Sequence, residues 1–218
     1  MNIKVCGLKT PEQVREINKT EVDYVGFIFH QSSPRFAEDD KLAAWLTEHP
    51  RAEGEPERVG VFVNAELDYI LNTVHDYQLD WVQLHGEESP GYCQELQLLW
   101  SVTSSYQAKI IKAFKITPDF DWSVTNSYVS SCQLFLFDTG GQSSVGGTGI
   151  QWDWSQLENY QGLTPFLLSG GIGPKDAKKL EKVSHPQLKG IDVNSGFETA
   201  PGLKDLSTLA TFVAELKN

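Results

Sequence analysis

The sequence predicts an α/β fold, a single-domain (β/α)8 or TIM barrel over residues 1–218, on three observations. Eight short runs rich in β-branched and aromatic residues recur, at 3–6, 24–29, 59–63, 81–84, 110–114, 134–137, 165–169 and 190–193. Each is compactly apolar rather than alternating, the pattern of parallel strands covered on both faces. Helix signals fall between the runs, and 218 residues suit one barrel, since barrels of about 200–250 residues commonly form one domain.

The first strand follows almost directly on the start of the chain, so no signal peptide is expected. Thr10-Pro11-Glu12 then supplies an N-cap, a first-turn proline and an early acid, with Val14 and Ile17 following. The segment 48–57, with its prolines, glycine and charges, reads as a surface loop closing the second helix rather than a linker. Asn64-Ala65-Glu66 opens the helix after the third strand, with Leu67, Ile70, Leu71 and Val74 on one side. Pro174-Lys175-Asp176 opens the one after the seventh, followed by Ala177, Leu180 and Val183. The repeat of about 27 residues is one strand–helix unit rather than a solenoid. A doubly wound sheet is the alternative; a closed barrel uses all the strands with none left over.

The net charge of −11 argues against a nucleic-acid partner, which needs a basic face. Any anionic ligand must be attracted locally, by a few cations and backbone N–H groups. Cys6, Cys93 and Cys132 are odd in number, widely spaced and without a Cys-x-x-Cys. Neither a disulfide framework nor a zinc site is expected, and reduced thiols in a cytoplasmic protein fit better. No apolar run reaches the roughly 20 residues that a membrane span needs.

Function in such barrels sits at the carboxyl ends of the strands. Cys6 ends the first strand and is followed by a glycine, which places it at the barrel mouth; nearby positive potential would lower its pKa. Lys4 lies on the same side of that strand, either a cation near the thiol or a structural lysine. Arg35 stands in the proline-stiffened loop after the second strand, where its planar fork suits a carboxylate. Gln83 and His85 place polar groups at the end of the fourth strand. Asp138 ends the apolar sixth strand, where a carboxylate must be paired, protonated or catalytic. Gly147 lies in a glycine-rich loop downstream. Gly170 and Gly171 follow the seventh strand, and Asn194, Ser195 and Gly196 the eighth. Loops of this kind bind phosphate through backbone N–H groups, without a basic surface.

Taken in order, these segments resemble the phosphoribosylanthranilate isomerases. The resemblance rests on Lys4-Val5-Cys6-Gly7-Leu8, residues 26–36, Val59-Gly60-Val61-Phe62-Val63-Asn64, residues 82–86 and Ile111-Lys112-Ala113-Phe114. It continues through Phe137-Asp138-Thr139, Gly146-Gly147-Thr148-Gly149, Ser169-Gly170-Gly171 and residues 192–196. It implies an Amadori rearrangement of N-(5-phosphoribosyl)anthranilate in tryptophan biosynthesis, with no metal or organic cofactor. Cys6 is then the general base, Asp138 the general acid and Arg35 the contact of the anthranilate carboxylate. Gln83, His85 and Gly147 join the substrate contacts, and Gly170, Gly171, Asn194, Ser195 and Gly196 hold the phosphate. The base must be partly ionised and the acid's pKa raised, an opposed pair. The expected partner is a small phosphorylated metabolite, and the chain is a monomer or homodimer. Ile150 stands where many relatives carry a lysine, which removes one cation from that loop. Indole-glycerol-phosphate synthase, another phosphate-binding barrel, would call for a catalytic lysine, and a non-catalytic metabolite binder would lack the acid or the base.

Overall fold

The computed structural model describes residues 1–103, 108–140 and 151–217. Parallel strands β1 (Asn2–Cys6), β2 (Tyr24–Ile28), β3 (Glu57–Phe62), β4 (Trp81–Leu84), β5 (Lys109–Ile116), β6 (Leu134–Thr139), β7 (Phe166–Leu168) and β8 (Leu188–Val193) form a closed barrel. They run round it in chain order, and β1 closes on β8 with Lys4 opposite Asp192. The apolar runs of the sequence match these strands to within a residue or two at most ends.

Helices α1 (Pro11–Ile17), α2 (Asp40–Glu48), α3 (Leu67–Asp76), α4 (Pro90–Thr103), α5 (Ala177–Leu180) and α6 (Leu206–Lys217) lie between and after the strands. The expected start of α1 is present as a full capping box, with Thr10 accepting from the Gln13 amide and the Gln13 side chain reaching back. The start of α3 comes later than the sequence suggests. Asn64 sits at φ 48°, and its side chain accepts from the Glu87 N–H at 2.7 Å, so it serves the next loop instead of the helix. Helix α5 is likewise a single turn that begins after Pro174-Lys175-Asp176. The Asp176 carboxylate accepts from Gly173 N and from Gln151 Nε2, at 2.7 and 2.8 Å, and is not spent on capping.

After β5, and before β7, the expected helices are replaced by 3-10 segments, Trp122–Tyr128 and Trp154–Asn159. Serine, threonine and asparagine in the first of these favour local side-chain bonding over a helical ladder, and valine loses χ1 freedom in a helix. Aromatic packing holds it down: Trp122 meets Phe137 edge-on at 5.0 Å, and Tyr128 meets Phe114 at 5.3 Å. In the 48–57 loop, Arg51 pairs with Asp80. Arg58 donates to the carbonyls of Leu46 and His49, closing the end of α2. No described helix is long and apolar enough to cross a membrane.

The barrel interior carries Tyr24, Val59, Trp81, Ile111, Ala113, Leu134, Leu136 and Leu167 as one packed cluster. Side chains alternate along a strand, so the same inward register continues upward to Gln83, Asp138 and Ser169. Pairing of Lys4 with Tyr24 and with Asp192 puts Lys4, Cys6 and Asp192 on that inward face too. Apolar residues plug the barrel below, and polar ones crown it at the carboxyl ends of the strands.

Candidate active site

Cys6 is buried, and its sulfur lies against Gly26 of β2, where a Cβ would come within 2.9 Å of Sγ. Beside it, the fully buried Lys4 donates to Asp192 Oδ1 at 2.8 Å, and its charge acts on the thiol. Lys4 is therefore both a structural ion-pair partner and a cation at the sulfur. Burial pushes the Cys6 thiol up, Lys4 and Lys204 pull it down, and Asp192 pushes it up again. The balance lies above the ordinary value, which corrects the expectation of a lowered thiol. The sequence shows the lysine but not the depth of burial, and desolvation of a thiolate outweighs the adjacent charge.

Asp138 is corrected in the opposite direction. Burial raises its pKa, but the hydrogen bond and charge of His85, the Thr139 N–H at 2.8 Å and Ser169 outweigh that and hold it below the usual carboxylate range. His85 Nε2 lies 3.3 Å from Asp138 Oδ2, and His85 Nδ1 lies 2.7 Å from the buried Gln83 amide. Gln83 Oε1 has no partner among the described residues. With Nε2 on His85 the amide donates to a neutral ring; turned over, its oxygen accepts from Nδ1–H of an imidazolium. Either way Nε2–H of His85 faces Asp138. Ser169 Oγ donates to Asp192 Oδ2 at 3.3 Å, so one polar chain runs from Lys4 through Asp192 to Ser169, and a second runs from Asp138 through His85 to Gln83.

Arg35 is neither on the surface nor fully free. Only 7% exposed, it presents Nε and Nη2 to both oxygens of Glu198, at 2.6–3.0 Å. Gly7, at φ 83°, shows why it must be glycine. Beyond the left-handed backbone, a Cβ there would meet Asn194 Oδ1 at 2.7 Å and Arg35 Cδ at 2.9 Å. Arg35 and Asn194 thus fold over the residue that follows Cys6.

The loops after β7 and β8 meet directly, since a Cβ on Gly196 would touch the Ile172 carbonyl at 2.5 Å. Gly170 and Gly171 have positive φ, 99° and 67°, and a Cβ on Gly170 would strike Thr139 and approach Asp138 Oδ1 to 3.1 Å. Ser195–Phe197 is a 3-10 turn entered from Asn194. Among the described residues, the amides of Gly171, Ser195 and Gly196 have no acceptor. Gly147, within 141–150, lies outside the described residues. Sequence reasoning missed Glu198, Lys204 and Ser169. Charged residues just beyond the last barrel strand were the available signal for the first two.

A family model described as N-(5'-phosphoribosyl)anthranilate (PRA) isomerase matches residues 3–215. The chain belongs to that family. The chain is 42% identical over 216 residues to the N-(5'-phosphoribosyl)anthranilate isomerase of Parabacteroides distasonis, covering 99% of this chain and 93% of that protein. The enzyme of that name from Phocaeicola vulgatus is 40% identical, with 100% and 98% covered. Phosphoribosyl anthranilate isomerase of Thermotoga maritima superposes with a TM-score of 0.83 at 30% identity, over 100% of this chain and 98% of that one. A phosphoribosyl anthranilate isomerase solved with reduced 1-(o-carboxyphenylamino)-1-deoxyribulose 5-phosphate superposes at 0.80 and 29% identity, with the same coverage.

Proposed function

We propose that this barrel isomerises N-(5'-phosphoribosyl)anthranilate with Cys6 as base and Asp138 as acid, in a single catalytic domain. The isomerase activity is that of the family; the roles of individual residues are our reading. The observation that carries it is the common inward register of Cys6 on β1 and Asp138 on β6, across one crowned mouth.

The rearrangement shifts hydrogen within one molecule. A proton from the Asp138 carboxylic acid goes to the furanose ring oxygen as the C1–O bond breaks, and the anilino nitrogen supplies the electrons that form the C=N bond. The Cys6 thiolate then takes the C2 proton, and the C–H electron pair moves into the iminium to give an enolamine, which tautomerises to the ketone. One acid and one base suffice. The free enzyme holds the pair in the opposite state, thiol with carboxylate. Transfer of one proton from Cys6 to Asp138 leaves net charge unchanged and yields the working form. Lys4 and Lys204 favour the thiolate, and exclusion of water by a bound substrate favours the neutral acid.

The unpaired amides of Gly171, Ser195 and Gly196 suit a phosphate, and the outer Nη1–Nη2 edge of Arg35 suits the anthranilate carboxylate. Gly170 gives the chain room beside Asp138, Gln83 and His85 serve the acid, and Asn194 leads into the phosphate turn. The partner is this phosphorylated metabolite rather than a nucleic acid, and the working unit is a monomer or homodimer in the cytoplasm. Loss of anthranilate-type fluorescence on adding freshly made phosphoribosylanthranilate tests the activity. Asp138→Asn, which keeps shape but has no proton to give, should lower kcat by about 10²–10⁴-fold; near-normal kcat would remove Asp138 from the acid's role.

A further inference from the structure

Beyond β8 the chain folds into a small antiparallel pair, β9 (Glu198–Ala200) and β10 (Leu203–Lys204), before α6. This hairpin carries two buried charges, neither of which gives or takes a proton in the rearrangement. Glu198 accepts from Arg35 Nε and Nη2, from Gly202 N at 3.2 Å and from Lys204 Nζ at 2.7 Å. Lys204, its side chain 0% exposed, donates in addition to Asn194 O at 3.2 Å and Asn194 Oδ1 at 2.7 Å. A continuous polar spine therefore runs from Arg35 through Glu198 and Lys204 to Asn194, the residue that enters the Ser195–Gly196 turn.

We infer that Glu198, held by Lys204, is a positioning residue that aims Arg35 at the substrate carboxylate and fixes its distance from the phosphate turn. The inference rests on the reading of Arg35 as the carboxylate clamp. A guanidinium has two edges able to grip a carboxylate. Glu198 takes the Nε–Nη2 edge with both oxygens, which fixes the plane of the group and leaves the Nη1–Nη2 edge for a ligand. Without Glu198 a substrate carboxylate would compete for either edge, in more than one orientation. Two cations against one carboxylate also leave this buried cluster positive, in a chain whose net charge is −11. The local attraction for an anion arises here. Glutamine cannot replace Glu198, because one amide oxygen cannot serve four donors, and its NH2 group would face another N–H or the ammonium.

The test compares two ligands, the reduced product analogue 1-(o-carboxyphenylamino)-1-deoxyribulose 5-phosphate and its phenylamino counterpart without the carboxylate. Wild-type protein should prefer the carboxylated ligand about tenfold to a hundredfold, the worth of a charged hydrogen-bonded pair. Glu198→Gln should reduce that preference to within about threefold while the Kd of the counterpart stays within about threefold of wild type. A merely structural Glu198 would weaken both ligands alike, and that result, or an undiminished preference, overturns the inference. Arg35→Lys separates the two readings. If it keeps the preference, the clamp reading falls and the inference with it; if it loses the preference while Glu198→Gln keeps it, the inference alone falls. Should Glu198→Gln fail to fold, the paired variant Glu198→Gln with Lys204→Met removes one charge of each sign and is read by the same ratio.

Discussion

Gly26→Ala moves the proposed base without removing it. Gly26 does not have a positive φ, so alanine adds no backbone strain of the left-handed kind. The added Cβ would lie 2.9 Å from Cys6 Sγ and 3.1 Å from Cys6 Cα. Carbon and sulfur are at ease at about 3.5–4.0 Å, so the sulfur must give by roughly 0.6–1 Å. Overpacking of this size costs about 1–3 kcal/mol of stability. Misplacing a reacting group by about 1 Å costs up to about 10²-fold in rate. The account therefore expects a folded protein with kcat lowered about tenfold to a hundredfold, and the Kd of the reduced product analogue altered far less. Kinetics by fluorescence loss and a thermal melt give both numbers. In a Cys6→Ser background the same substitution should add little, since the two changes act on one group. A folded Gly26→Ala protein with wild-type kcat would refute the placement of the sulfur at the reacting carbon.

Arg35→Lys should lower kcat/KM about tenfold or more, because an ammonium cannot keep Glu198 on one edge and a ligand on the other; an unchanged kcat/KM would deny it the clamp's role. The working thiolate–acid form is a constant minority wherever the thiol, above its ordinary 9.0, and the carboxylate, below its ordinary 3.8, are both in their resting states. The alkaline fall of kcat/KM should accordingly begin beyond about pH 9, whereas a fall near neutrality would show a raised carboxyl instead. Asp138 and Glu198 both lie below their ordinary values of 3.8 and 4.5. Their stabilisation is present above those values and is lost as pH falls through the folded ones, so unfolding free energy should drop between about pH 5 and 3. Glu198→Gln should flatten part of that drop, as measured by urea melts.

The barrel was legible because its strands are buried on both faces, so composition alone marks them, as at Trp81–Leu84. The positions of Cys6, Asp138, Gly171 and Ser195 were legible because each follows a strand, where a barrel gathers its chemistry. Helices were less so: Asp176 and Asn64 look like helix starters, yet both spend their side chains on loop contacts that only the folded chain brings close. The two pKa directions were misjudged for a related reason. His85 and Asp138 are far apart in the chain, and nothing in the sequence shows that the histidine reaches the carboxylate. Glu198 and Arg35 are farther apart still, so the pair that orients the clamp emerges only in three dimensions.

The acid–base assignment is tested most directly by the kcat of Cys6→Ser, followed by fluorescence loss at saturating phosphoribosylanthranilate. Serine keeps the shape of the side chain, but its hydroxyl does not ionise near neutral pH, so nothing remains to take the C2 proton. The account predicts a loss of about 10²–10⁴-fold in kcat, with the reduced product analogue bound at close to wild-type affinity. Retention of more than a few tenths of wild-type kcat would contradict it and transfer the base's role to another group at the mouth, with His85 the first candidate to test.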